Sequence, residues 1–267
     1  MCCERAGNTG SKRGDLNGGG QGSEVGSAGG GRALRRIDLG ERQTVMRALG
    51  DGEPFILTGL DVGPCVGRWS AQHLHAAAGD KPLAAGVHVC AHKTVDLAGH
   101  RRAGTRKNFH FVEMPFGEFI QRCAPSEFEH LPPLAPVLGA GERLYLRSVA
   151  TGAEASRTPS HLPDTFPELA ADVVLPHGVI YDADSYHSSV LRVASGDTEL
   201  WTHYDVMHNM LIQVTGTKHV TLWPPSQDAN LYTEGSSSRV PNVHEPDLAR
   251  FPRFSRTYHT RVTGLLR

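Results

Sequence analysis

The chain has 267 residues, and its 27 Lys+Arg against 28 Asp+Glu leave a formal charge of −1, which excludes a histone-like or strongly basic nucleic-acid binder. With 39% hydrophobic and 21% charged residues it can bury one sizeable core, so one main domain is a better expectation than two small ones. Its 30 glycines suggest a loop-rich protein until they are placed: 11 fall in residues 1–31, leaving 19 for the other 236, so the excess belongs to one end.

Residues 1–32 carry almost no large apolar side chain, and ordering them would cost backbone entropy with no burial to offset it. They read as a disordered glycine-rich tail, followed by a single domain over 33–267. No run approaches the ~20 apolar residues of a membrane span, and no hydrophobic stretch follows the opening Met-Cys-Cys-Glu-Arg. Neither a span nor a secretory signal is expected, so the default location is intracellular, in the cytoplasm, with the nucleus left open. Five scattered cysteines, odd in number and without a CxxC pair, suit a reducing compartment.

The segment from Pro54 to Leu60 is a short apolar run interrupted by Gly59, the pattern of a buried strand. Pro115 followed by Phe116, Phe119, Ile120 and Cys123 predicts an amphipathic helix with proline at its start. Residues 124–185 read as a long proline-rich connection holding one short strand, Arg143–Ser148. From Ser188 the pattern turns to β, with strands expected at Ser189–Val193, Leu200–Val206, Met210–Val214 and Lys218–Trp223. Thr215-Gly216-Thr217 is placed to close the last two into a hairpin. Trp69, Trp223 and Phe251 read as core anchors, and Cys65 as a small buried hydrophobe rather than a nucleophile.

The chemistry is concentrated in Leu200 to Asn209. Residues two apart on a strand face one side, so an imidazole at His203 and a carboxylate at Asp205 would converge as two parts of a 2-His-1-carboxylate facial triad for Fe(II). His-X-Asp alone is only two residues long, and most such pairs are surface or structural. Lys218, opening the next strand, is an expensive inward ammonium unless it meets a carboxylate. Tyr145 and Asn209 add neutral donors, and Arg192 sits on an otherwise apolar strand. Together they suit a small dianion such as a 2-oxo dicarboxylic acid. The plainer alternative leaves Lys218 and Arg192 at strand ends in solvent.

At these residues the stretch WTHYDVMHNMLIQVTGTKHVTLWPP resembles the core of the JmjC, cupin-like Fe(II)/2-oxoglutarate oxygenases. Over roughly residues 53–260, through PFILTGLDVGPCVGRW, NFHFVEMPFGEFIQRCA, RLYLRS and PDLARFPRFS, it is similar to those members that hydroxylate a wybutosine precursor in tRNA. The resemblance implies a mainly β fold, a double-stranded β-helix or jelly roll with an α/β N-terminal portion. It implies a 2-oxoglutarate-dependent dioxygenase with His203 and Asp205 as metal ligands and Tyr145, Asn209 and Lys218, joined by Arg192, as the 2-oxoglutarate site. The implied partners are O2 and phenylalanine tRNA, modified at the guanosine beside the anticodon, and full-length family members resemble homodimers. Where many relatives place a hydroxyl three residues before the histidine, this chain has Leu200. Where the family continues to a distal histidine, this chain stops at Arg267, so the last strands and the third ligand are expected beyond it.

The segment His100-Arg101-Arg102 with Arg106-Lys107, followed by Phe109 and Phe111, places four cations near aromatics, a combination suited to tRNA phosphates and an unpaired base. Such a run is also common as a solvated loop. Three functional readings stand: a tRNA hydroxylase, a JmjC oxygenase or demethylase acting on protein side chains, and a catalytically inactive truncated form lacking the distal histidine.

Overall fold

The computed structural model describes residues 2–7, 31–83, 86–96, 108–150, 157–174 and 185–267. In chain order, β1 (Cys2–Gly7), β2 (Arg32–Ala33) and β3 (Arg36–Asp38) precede α1 (Arg42–Gly50) and β4 (Ile56–Thr58). Next come α2 (Cys65–Arg68), α3 (Ala71–Ala78), β5 (Val87–Cys90), β6 (Thr94–Val95), β7 (His110–Val112) and α4 (Phe116–Cys123). β8 (Arg143–Arg147), α5 (Leu162–Thr165), α6 (Pro167–Ala170), β9 (Arg192–Ala194) and β10 (Glu199–Leu200) follow. The last part holds β11 (Thr217–Leu222), β12 (Thr233–Glu234), β13 (Ser237–Ser238) and β14 (Val262–Leu266). Among the described residues no helix is long and apolar enough to cross a membrane.

The helix predicted after Pro115 forms as its spacing requires. Pro115 caps α4 in an extended conformation, and Phe116, Phe119 and Ile120 turn to one side, each at most 2% exposed. That stripe packs with Leu74 of α3 and with Val87, Val89, Leu144 and Leu146, which alternate along β5 and β8. Burying each phenyl ring contributes about 1.5–3 kcal/mol, so this helix-on-sheet layer is the main hydrophobic anchor. Trp69, Trp223 and Phe251 are buried as expected of core anchors, and Cys65 is fully buried with its thiol pushed up by desolvation. The proline-rich connection after residue 124 holds, besides β8, the short helices α5 and α6; Phe166 between them and Leu169 of α6 join the same core. Four-residue helices fall below the length at which periodicity can show in a sequence.

Two larger sheets carry the rest. One has the order β7-β5-β8-β9, antiparallel throughout. The other has the order β2-β14-β11-β1-β10-β6. The architecture is mostly sheet with few helices.

Three expectations differ from this arrangement. The run read as a disordered tail begins with β1, which lies between β10 and β11 and is antiparallel to both. Pairing of backbone N–H and C=O groups does not require the large apolar side chains that this segment lacks. The strand expected over Leu200–Val206 ends at Leu200. After it the chain leaves the six-stranded sheet and pairs with β13, through the His203–Ser237 bridge and the Ser238 N–H to Thr202 carbonyl bond of 2.8 Å. Finally, Met210–Val214 is not a strand, and β11 has β1 and β14 as its neighbours instead of a hairpin partner. Gly216 does take the left-handed turn, with φ 79°, but the turn feeds β11 alone.

Candidate functional site

Register decides which residues face the space between the two sheets. Arg5 of β1 lies level with Glu199 of β10 and with His219 of β11, so residues 199 and 219 share one face and 200, 218 and 220 the other. Leu200 of that second face packs with Val95, Phe109 and Tyr145, and Tyr145 comes from β8 of the opposite sheet. Lys218 shares that sheet face with Leu200, but its β11 neighbours Val220 and Leu222 pack with Leu34 and Ile56 rather than with the Tyr145 group. Tyr145 is 3% exposed, while Lys218 is half-buried, which suits a phenol in a dry wall and an ammonium that keeps access to water.

His203 joins this cluster through Trp201, whose ring packs against the Tyr145 group. The indole and imidazole stack with centroids 4.3 Å apart and planes 22° apart. Trp201 is itself held by a 3.0 Å hydrogen bond from Nε1 to the Ser237 hydroxyl. The Trp201 carbonyl lies 2.8 Å from Nδ1 of His203. A carbonyl can only accept, so it fixes the proton on Nδ1 and leaves the Nε2 lone pair outward, the state in which histidine binds metal.

Asp205 is exposed, beyond the end of the strand, and its Oδ2 accepts a 2.9 Å hydrogen bond from the Asn209 side-chain amide. Strand alternation thus does not bring His203 and Asp205 together. They lie in an extended segment running into a bend, with Asn209 holding the carboxylate. Asn209 belongs to this turn and contacts Asp205, whereas Tyr145 and Lys218 belong to the sheets. Among the described residues no group of three His, Cys, Asp or Glu could hold a metal ion. His208 and His219 are exposed, and His219 lies on the sheet face opposite Lys218.

Arg192 sits on β9 directly opposite Arg147 of β8, two residues along the strand from Tyr145. Phe109 is buried beside Tyr145, while Phe111 is exposed. Arg101, Arg102, Arg106 and Lys107 lie outside the described residues.

Sequence inspection passed over Trp201, which the structure makes the link between His203 and the sheet interior. Its position two residues before the histidine was the available signal. It also passed over Asp172, buried between α6 and α2, which accepts hydrogen bonds from Arg68 at 2.8 Å and from the Trp69 indole at 3.2 Å. The Trp69 carbonyl in turn accepts the Thr215 hydroxyl at 2.8 Å, so this buried carboxylate steadies the turn just ahead of Lys218.

Comparison with known proteins agrees with the arrangement. The model of the cupin-like domain matches residues 41–265. The tRNA wybutosine-synthesizing protein 5 of Homo sapiens is 35% identical over 204 residues, covering 76% of this chain and 59% of that protein. Its Gallus gallus counterpart is 37% identical over 204 residues, covering 76% and 58%. The tRNA wybutosine-synthesizing protein 4 of Neurospora crassa is 34% identical over 206 residues, which are 77% of this chain and 15% of that larger protein. The chain thus spans less than two thirds of the length of the curated relatives it matches. With a family match across most of its length and a sheet-built interior holding Tyr145, Trp201 and His203, the chain belongs to the cupin-like domain family.

Proposed function

We propose that the chain is the oxygenase domain of an Fe(II)- and 2-oxoglutarate-dependent hydroxylase acting on the side chain of a wybutosine precursor in phenylalanine tRNA. The observation that supports this reading is the Trp201 stack, which links a histidine in its metal-binding tautomer to the cluster that Tyr145 lines. The names of the relatives supply the substrate class. When bound, iron with 2-oxoglutarate would supply the O2-dependent attack on an unactivated C–H bond.

The residues of the chain do the positioning. His203 and Asp205 are two of the metal donors, and Asn209 orients the Asp205 carboxylate. Lys218 and Tyr145 receive the far carboxylate of 2-oxoglutarate, the ammonium by charge and the phenol by hydrogen bonding. Leu200, in the place where many relatives carry a hydroxyl, joins Val95 in an apolar wall that excludes water beside it. Arg101, Arg102, Arg106 and Lys107 contact tRNA phosphates, and the protein acts inside the cell, in the cytoplasm.

Succinate formation measured with and without phenylalanine tRNA tests the proposal. tRNA-dependent succinate supports it, whereas turnover that needs a peptide and ignores tRNA transfers the chain to the protein-hydroxylase class. A second reading is a chain that binds RNA without turnover, and stoichiometric Fe(II) binding together with succinate release overturns it.

A further inference from the structure

Residues 249–257 read as three tripeptides, Ala249-Arg250-Phe251, Pro252-Arg253-Phe254 and Ser255-Arg256-Thr257, with arginine at every middle position. The 3-10 helix Pro252–Thr257 has the same period, three residues per turn, so residues three apart stand above one another. Phe251, Phe254 and Thr257 are each at most 4% exposed, and the two phenyl rings pack with Trp223, Leu231 and Val240. Arg250, Arg253 and Arg256, one residue earlier in each triplet, are all exposed. The rise of a 3-10 helix sets Arg253 and Arg256 about 6 Å apart along its axis. Arg253 stands over the Tyr232 ring at 4.6 Å, and Arg250 over Phe251 at 5.0 Å. Tyr232 takes φ 53°, rare for a bulky residue, and its hydroxyl accepts the Arg253 backbone N–H at 3.0 Å. Burial alone would raise that hydroxyl, but hydrogen bonds from Arg253 and the charges of Arg253 and Arg256 bring it below its ordinary value of 10.0. Two carboxylates of this region are engaged away from the guanidiniums: Asp247 accepts the Arg250 backbone N–H at 3.0 Å, and Glu234 lies 3.6 Å from Arg239.

We propose that Arg250, Arg253 and Arg256 form a track for the sugar–phosphate backbone of the tRNA substrate, the three guanidiniums meeting successive phosphates. This rests on the tRNA reading above and adds a docking surface to it. In a chain of formal charge −1, electrostatic affinity for RNA has to come from a local row of cations. Like charges held on one face repel, and a polyanion laid along them reverses that cost. A guanidinium resting on an aromatic ring is already ordered and keeps N–H donors for a phosphate, so little side-chain entropy is lost on binding. The step of the row is comparable with that between neighbouring phosphates of one RNA strand, whereas an acidic peptide carries its charges on flexible side chains with no fixed repeat. The row is also tied to the candidate site. The Tyr232 carbonyl accepts the Arg239 N–H at 3.1 Å beside the β12–β13 pairing, and Ser237 of β13 pairs with His203. Tyr232 thus lies on the order of 10 Å from His203, near enough for a strand held on the row to reach that histidine.

The test titrates the full chain with fluorescently labelled phenylalanine tRNA over a series of salt concentrations. The triple variant Arg250→Gln, Arg253→Gln, Arg256→Gln is expected to lower the slope of log affinity against log salt by about 2–3, the loss of three phosphate contacts. Lysine at the same three positions is expected to restore most of the slope. A control triple, Arg35→Gln, Arg42→Gln, Arg47→Gln, removes the same charge from exposed positions of another part of the chain and is expected to change the slope by less than about 1. Thermal melting of each variant separates these effects from misfolding. An unchanged slope in the glutamine variant, no recovery with lysine, or an equal loss in the control overturns the track while leaving the tRNA reading intact. Failure of the wild type to bind tRNA, or its preference for a polyglutamate peptide, overturns both.

Discussion

The indole of Trp201 lies against the imidazole of His203 at 4.3 Å, and the same residue's carbonyl meets Nδ1 at 2.8 Å, so one tryptophan controls both the plane and the tautomer of that histidine. Trp201→Ala removes the stacking surface and the Nε1 bond to Ser237, although the carbonyl remains. On the proposed reading, in which His203 would hold the metal, losing such a support is expected to cost about 10- to 100-fold in metal affinity. Co(II) or Fe(II) titration of the variant against wild type checks this, and Trp201→Phe is expected to recover part of the loss.

Lys218 is half-buried on the interior face of β11. Lys218→Ala is expected to weaken 2-oxoglutarate binding by about 10- to 100-fold, the worth of a charge-assisted hydrogen bond. Lys218→Arg keeps the charge and recovers some of it. Calorimetric titration with 2-oxoglutarate measures both, and equal affinities for wild type and Lys218→Ala would remove this lysine from the co-substrate site.

Asp172 gives the fold an acid limit. Burial by itself would push its carboxyl up, but hydrogen bonds from Arg68 and Trp69, with the nearby charges of Arg68 and His73, hold it below its ordinary value of 3.8. A carboxyl whose folded value is depressed contributes stability above the unfolded value and loses it as the pH falls through the folded one. Melting temperature followed between about pH 2 and 5 is therefore expected to fall on acidification for wild type, and less steeply for Asp172→Asn. The variant is also expected to be less stable near neutrality, because an amide leaves the Arg68 charge unmatched.

β1 is paired on both sides, so deleting residues 2–7 leaves β10 and β11 each with an open edge. The expected loss is at least about 1 kcal/mol, the net worth of one or two backbone hydrogen bonds, or roughly 2–4 °C in melting temperature for a domain of this size. Hydrogen exchange is expected to rise at Thr217–Leu222 while α4 stays protected. Unchanged exchange in β11 would mean that β1 contributes nothing to that sheet.

Much was readable before any coordinates. α4 follows from Pro115 and the spacing of Phe116, Phe119 and Ile120, since a buried stripe needs nothing beyond the helical repeat. β8 and β11 were visible as short apolar runs, and Tyr145, His203, Asp205, Asn209 and Lys218 stood out by residue type and motif. What the sequence by itself determined was thus the local periodicity and the chemical inventory.

Tertiary structure decided where that inventory meets. β1 has no apolar signature because it supplies backbone pairing to β11, more than two hundred residues away. The strand stops near Leu200 because, after a last backbone bond from Trp201 to Val95, Thr202 and His203 pair with Ser237 and Ser238 of β13, a pairing invisible in the local sequence. Phe109 and Phe111 are alike in sequence, yet the first is buried beside Tyr145 and the second is exposed at the edge of the sheet, against His88 and Phe109. In each case the deciding interaction joins segments distant in the chain, where hydrogen-bond registry and the pleat set which side chain faces inward.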